Sequence, residues 1–129
     1  MILDSSAVLA ILFQEPEAPL FAATMERALV CRLSAASHVE LSIVVEAQEG
    51  AAGLQDLEQF IREAKIVVES FTLEQAYISQ RAWTTYGRGK HPARLNFGDC
   101  FSYALAKALD EPLLFKGNDF ARTDIQSAL

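Results

Sequence analysis

Four acidic residues stand out by position: Asp4, Glu40, Asp99 and Asp119. Asp4 closes the short apolar run Met1-Ile2-Leu3, and Asp119 follows Leu113-Leu114-Phe115 by one turn. Asp99 falls in the first turn of an apolar-striped segment opened by Asn96, and Glu40 lies near the start of another. If the apolar runs are parallel strands, these carboxylates arrive from separate segments at one edge of a sheet. Two like charges about 4 Å apart cost roughly 4 kcal/mol at an effective dielectric near 20. A hard divalent cation removes that cost, and an all-oxygen donor set selects Mg²⁺ or Mn²⁺ over zinc. Taken singly, Asp4 and Asp99 read equally well as acids complementing helix N-termini, and Asp119 as a turn residue. Their convergence is what points to a cation.

Other chemistries are excluded. Gly87-Arg88-Gly89-Lys90 lacks both the spacing and the hydroxyl of a phosphate-binding P-loop. There is no dinucleotide-binding glycine fingerprint after a strand and no G-x-S-x-G elbow. His38 and His91 have no zinc-ligand spacing and read as structural or surface histidines. An aspartyl-phosphate phosphatase wants a second Asp two residues after Asp4, where Ser6 stands.

The elements that must carry the acids are short strands alternating with helices. Strands are expected at 1–3, 29–33, 66–68 and 112–115, with a last short one from Ile125. Between them, Ser5-Ser6 opens the helix of Ala7–Leu12, and Pro16 starts a second reaching Ala28. A long helix from Ser34 ends at Gly50, and Leu54, Leu57, Phe60, Ile61 and Ala64 mark an amphipathic one. Further helices cover about 72–86 and 96–109, joined by the loop Gly87–Pro92. This alternation predicts a single α/β domain over residues 1–129, a three-layer α/β/α sandwich around a mostly parallel sheet. Ligands of such folds lie outside the carboxyl ends of the strands.

The chain has 129 residues, with 11 Lys+Arg against 17 Asp+Glu and a net charge of −6. Surface scaling gives about 6,800 Å² folded against roughly 20,600 Å² unfolded, enough burial for a core without disulfides. Cys31 and Cys100 therefore read as free thiols in a reducing, cytoplasmic setting. The run Ala7–Phe13 lacks the flanks of a signal peptide and the length of a membrane span, so no membrane association is expected. Overall acidity excludes a general nucleic-acid binder. Yet Gln75–Gly98 holds no acid, while Arg81, Arg88, Lys90 and Arg94 all fall there, a local patch suited to phosphates.

Leu3-Asp4-Ser5-Ser6, Glu40, Asn96-Phe97-Gly98-Asp99-Cys100 and Leu114-Phe115-Lys116-Gly117-Asn118-Asp119-Phe120 with Thr123-Asp124 together resemble a PIN domain. Together with the loop Gly87–Ala93, the match is to the VapC class of ribonuclease toxins and spans essentially the whole chain. The resemblance implies a metal-dependent endoribonuclease acting on tRNA or another structured RNA. It implies Asp4, Asp99 and Asp119 as metal ligands, directly or through water, with Glu40 ligating a second ion or orienting the attacking water. Ser6, Thr123 and Asp124 are implied just behind them. Asn118 departs from relatives that carry an acid there, which leaves Asp124 either to ligate in its place or to orient its neighbours. Arg88, Lys90 and Arg94 would hold RNA phosphates. A VapB-type antitoxin and a homodimer are implied partners, with Leu9, Leu12, Phe13, Leu20 and Phe21 offering either a groove for an antitoxin helix or part of the core. The alternative is a silent interaction module that binds metal or a basic partner without cleaving.

Overall fold

The computed structural model describes residues 1–129. Four parallel strands form one sheet in the order β3-β2-β1-β4: β1 (Ile2–Leu3), β2 (Arg32–Ser34), β3 (Val67–Glu69) and β4 (Leu113–Leu114). Helices α1 (Ser5–Leu12), α2 (Ala18–Arg27) and α3 (Ala35–Glu63) connect the first three strands. Helices α4 (Leu73–Tyr86) and α5 (Phe97–Leu109) carry the chain back across to β4.

The period-2 alternation of strand side chains divides the core in two. Leu3, Leu33 and Leu114 point into one cluster with Val8, Phe21, Leu41, Leu57 and Ile61 from α1, α2 and α3. Ile2 and Leu113 point into the other, with Ala82, Leu95, Tyr103 and Leu105. A sheet with apolar side chains on both faces must be covered on both, which gives the three-layer α/β/α sandwich. Total accessible surface is 7122 Å², close to the scaling value for this chain length.

Local signals set most boundaries. Asp4, Ser34, Thr72 and Asn96 each cap a helix by accepting a backbone N–H. Gly50, at φ 65 and ψ −151, breaks α3 into arms 35–49 and 51–63. The arms fold back on each other: a Cβ on Gly53 would lie 2.7 Å from Val45, and His38 Nε2 meets Glu58 Oε1 at 2.9 Å. Two expectations change. The second strand begins at Arg32 rather than Leu29, whose side chain is fully exposed, and the strand from Ile125 reduces to a single bridge between Leu113 and Ser127. No helix is long and apolar enough to cross a membrane.

Chain order places a topological switch between β1 and β4. From β1 the chain leaves toward the α1–α3 side, and β4 is reached from the α4–α5 side. The crevice so opened lies at the carboxyl ends of the strands.

Candidate active site

Asp4 sits at the carboxyl end of β1, hydrogen-bonded to β4 through its N–H to the Leu114 carbonyl at 2.9 Å. Its side chain is almost wholly buried. One oxygen, Oδ2, accepts both the Ser6 N–H at 3.0 Å and the Ser6 hydroxyl at 2.5 Å. Ser6 Oγ in turn accepts the Lys116 N–H at 3.0 Å, so one hydroxyl joins the start of α1 to the turn leaving β4. Ser6 thus contacts Asp4 through both its N–H and its hydroxyl.

Asp99 occupies the N3 position of α5 in a reciprocal capping box. Its Oδ2 accepts the Asn96 N–H at 2.8 Å, while Asn96 Oδ1 accepts the Asp99 N–H at 2.8 Å. In both Asp4 and Asp99, one oxygen fixes the side chain and Oδ1 takes no protein hydrogen bond.

Glu40 reaches this edge from α3, and Gly98 makes room for it. A Cβ on Gly98 would fall 1.8 Å from Glu40 Oε2, an impossible overlap, so the carboxylate occupies the space that a side chain at Gly98 would fill. Asp119 follows β4 by a turn through Gly117 at φ 92; it is exposed, and its carboxylate accepts no protein hydrogen bond.

Electrostatics join the four. Burial pushes the Asp99 carboxyl up to about 7, with the charges of Asp4, Asp119 and Glu40 adding to it and the Asn96 N–H working against it. Glu40 is raised as well, by burial and then by Asp4, with Ser5 opposing. The N-termini of α1, α3 and α5 offset part of the repulsion. No three His, Cys, Asp or Glu side chains close tightly enough to cage an ion directly. Mg²⁺ retains several waters and is ordinarily held by one or two carboxylates, so an open set of oxygen donors, with free oxygens on Asp4, Asp99 and Asp119, fits such an ion.

Asp124 and Thr123 are placed elsewhere. Asp124 accepts the Tyr103 hydroxyl at 2.7 Å and the Lys107 ammonium at 2.9 Å, far along α5 from its N-terminus. Burial raises its carboxyl, but those two hydrogen bonds prevail and hold it below the ordinary value. Both of its oxygens are engaged, so Asp124 does not replace the acid missing at Asn118. Thr123 Oγ1 donates to the Phe120 carbonyl and accepts the Ile125 N–H, a local turn.

Arg88, Lys90 and Arg94 line an open pocket with Gly89, His91 and Pro92 that contains no hydrophobic residue. All three are exposed and none has a carboxylate partner. The loop is fastened at its base: Arg88 N–H donates to Leu95 O, and Leu95 N–H to Tyr86 O, each at 3.0 Å. It runs directly into Asn96, which places three free cations one loop from Asp99. Arg122, unremarked in the sequence, donates to the Pro92 carbonyl at 3.3 Å and joins that loop to the turn after Asp119. No local pattern signals this contact, which spans 30 residues.

The remaining candidates resolve simply. His38 pairs with Glu58, and His91 Nδ1 accepts the Ala93 N–H at 3.0 Å, both structural. Cys31 and Cys100 are buried free thiols; burial, then Asp99, pushes Cys100 to about 11. Phe21 is a core residue and cannot line a groove, whereas Leu20 is exposed and Leu9, Leu12 and Phe13 are half-buried.

A parallel α/β sandwich with four facing acids at its switch point defines a class, and the comparisons agree with it. Residues 1–126 match the PIN domain family. Ribonuclease VapC28 of Mycobacterium tuberculosis is 49% identical over 130 residues, covering 100% of this chain and 98% of its own length. Ribonuclease VapC30 of the same organism is 43% identical over 125 residues, covering 97% and 95%. Among solved structures, Mycobacterium tuberculosis VapC20, described as a Sarcin-Ricin loop cleaving toxin, superposes with a TM-score of 0.78 over 96% of this chain and 95% of that one. At 12% identity this speaks to the fold. The chain belongs to the PIN-domain family and, within it, to the VapC ribonucleases.

Proposed function

We propose that the chain is the toxin of a type II toxin–antitoxin pair, an endoribonuclease that uses Mg²⁺, or Mn²⁺ in its place, to hydrolyse a structured RNA such as tRNA. The observation that carries this reading is the gathering of Asp4, Glu40, Asp99 and Asp119 at one edge of the sheet, where burial and, after it, the charges of the other three raise the Asp99 carboxyl. Stability alone gives no reason to gather them. Asp4, Asp99 and Asp119 would hold the cation, directly or through water. When bound, it neutralises charge at the reacting phosphate and acidifies nearby water. Glu40, its carboxyl raised by burial and held beside Gly98, is suited to orient the attacking water and, in its ionised form, to accept its proton. Ser6 keeps Asp4 Oδ2 engaged so that Oδ1 faces the site. Arg88, Lys90 and Arg94 bind phosphates, adding affinity and salt dependence rather than base choice.

The acidic cluster also suits the basic segment of a VapB-type antitoxin, which would neutralise it and block RNA. A homodimer is supported by the apolar face that Val39, Ile43, Phe71, Trp83 and Phe97 expose along α3, α4 and α5, where two adjoining clefts share Ala36, Phe97 and Phe101. The test is cleavage of purified total tRNA by the folded, antitoxin-free chain and by Asp99→Asn, with Mg²⁺, Mn²⁺ or EDTA. Discrete fragments from the wild type, lost with EDTA and absent from Asp99→Asn, are expected. A wild type that binds Mn²⁺ and RNA but cleaves no RNA offered, ribosomal RNA included, would mark an interaction module instead.

A further inference from the structure

Of the four acids, Asp119 is the one that nothing holds directly. It lies on a turn whose residues Gly117, Asn118 and Asp119 make no side-chain hydrogen bond, and it is the most exposed of the four. The turn is secured at its two ends. At the far end Phe120 is buried and packs on Phe115, ring centroids 5.2 Å apart. At the near end stands Lys116, fixed twice. Its N–H donates to Ser6 Oγ, and its ammonium lies 2.5 Å from Glu15 Oε2 and 3.2 Å from Glu17 Oε2. Glu15 and Glu17 belong to the connection between α1 and α2, itself tightened by a Glu15 N–H to Ala10 carbonyl bond at 2.8 Å. That connection is contiguous with the helix that Asp4 caps.

We propose that Lys116 is a positioning residue that sets Asp119 relative to Asp4, by clamping the turn after β4 to the α1–α2 connection through Glu15 and Glu17. The ion pairs are half-exposed and add little to stability. Their consequence is geometric: with backbone and side chain tied to the same flanking segment, the chain leaves β4 in one direction. Without the ammonium, Glu15 and Glu17 repel each other and the near end of the turn keeps only the Ser6 anchor. Two carboxylates around Lys116 also direct its charge away from solvent-borne phosphates, which separates it from Arg88, Lys90 and Arg94. The proposal rests on the cation site proposed above, because metal affinity is the property that the spacing of Asp4 and Asp119 controls.

The test uses the full chain with three variants: Lys116→Ala, Lys116→Arg and the double variant Glu15→Gln, Glu17→Gln. Mn²⁺ affinity is measured by calorimetry, RNA affinity in EDTA, and cleavage against metal concentration, with circular dichroism as the control for folding. Lys116→Ala is expected to bind Mn²⁺ roughly tenfold more weakly, the usual scale for groups supporting metal ligands. It should need correspondingly more metal for half-maximal cleavage, with RNA affinity unchanged. The double variant should reproduce the loss, since it leaves Lys116 charged but unclamped, and Lys116→Arg should restore affinity. Lost RNA affinity in Lys116→Ala with unaltered Mn²⁺ affinity would overturn the proposal in favour of direct phosphate contact. Unaltered Mn²⁺ affinity in the double variant would also overturn it. A wild-type chain that binds no Mn²⁺ would instead overturn the cation site itself, and the proposal with it.

Discussion

Asp99→Asn should make the metal-free protein more stable while abolishing cleavage. The substitution is nearly isosteric, and Asn keeps a carbonyl oxygen to accept the Asn96 N–H, so the capping box survives. What it removes is a charge. In the folded chain, burial chiefly, aided by Asp4, Asp119 and Glu40, takes the Asp99 carboxyl from its ordinary 3.8 to about 7. At 1.36 kcal/mol per pKa unit, the ionised form is disfavoured by a ceiling of about 4 kcal/mol. Because the folded value lies above the unfolded one, the folded state binds the proton more tightly. The associated stability is complete below pH 3.8 and is lost as pH rises through about 7. About 2 kcal/mol of the ceiling is already gone by pH 5 and nearly all of it by pH 8. Urea denaturation in EDTA should therefore find Asp99→Asn the more stable protein at pH 8, by up to about 4 kcal/mol, with the gap narrowing toward pH 5. Saturating Mn²⁺ should close most of that gap, since ligand at 100 times its Kd adds about 2.7 kcal/mol to the wild type. If Asp99→Asn is no more stable than wild type at pH 8 in EDTA, the Asp99 charge carries no penalty in the folded chain and the argument that a cation relieves it falls.

Gly98→Ala should also separate activity from stability. Within a helix the change ordinarily gains about 0.5–1 kcal/mol, yet here the new methyl must drive Glu40 off the backbone of α5. Cleavage should fall by roughly tenfold or more with the melting temperature held or raised; full activity would release Glu40 from its assigned role. For the basic loop, Arg88→Ala with Arg94→Ala should weaken RNA binding and reduce the salt slope by about 2, one for each phosphate no longer neutralised, and unchanged slopes would make the loop mere surface. Phe97→Asp places a charge in the middle of the exposed apolar face. Sedimentation is expected to find a dimer for the wild type and a monomer for the variant, and an unaltered dimer would move the interface elsewhere.

Much of this molecule is written in short-range pattern. Asn96 and Asp99, three residues apart, cap one helix between them, and Gly50 breaks α3 because its φ of 65 is one that side chains resist. The strand-then-acid order at Asp4 and Asp119 puts carboxylates at the carboxyl ends of parallel strands wherever those strands form. Each of these depends on residues within a few positions of one another, so the local sequence suffices. The long-range partners are different. Asp124 looks like a fifth acid for the cluster until Tyr103 and Lys107, on a helix one strand earlier, take both its oxygens. Phe21 looks like groove until the sheet buries it, and Leu29 looks like strand until β2 finds its register with β3 from Arg32 onward. The clearance at Gly98 for Glu40, and the clamp of Lys116 on Glu15 and Glu17, join residues 58 to 101 positions apart. Such pairings follow from how helices pack across a sheet. No periodicity or capping pattern encodes them, and they set which acids face the site and how firmly each is held.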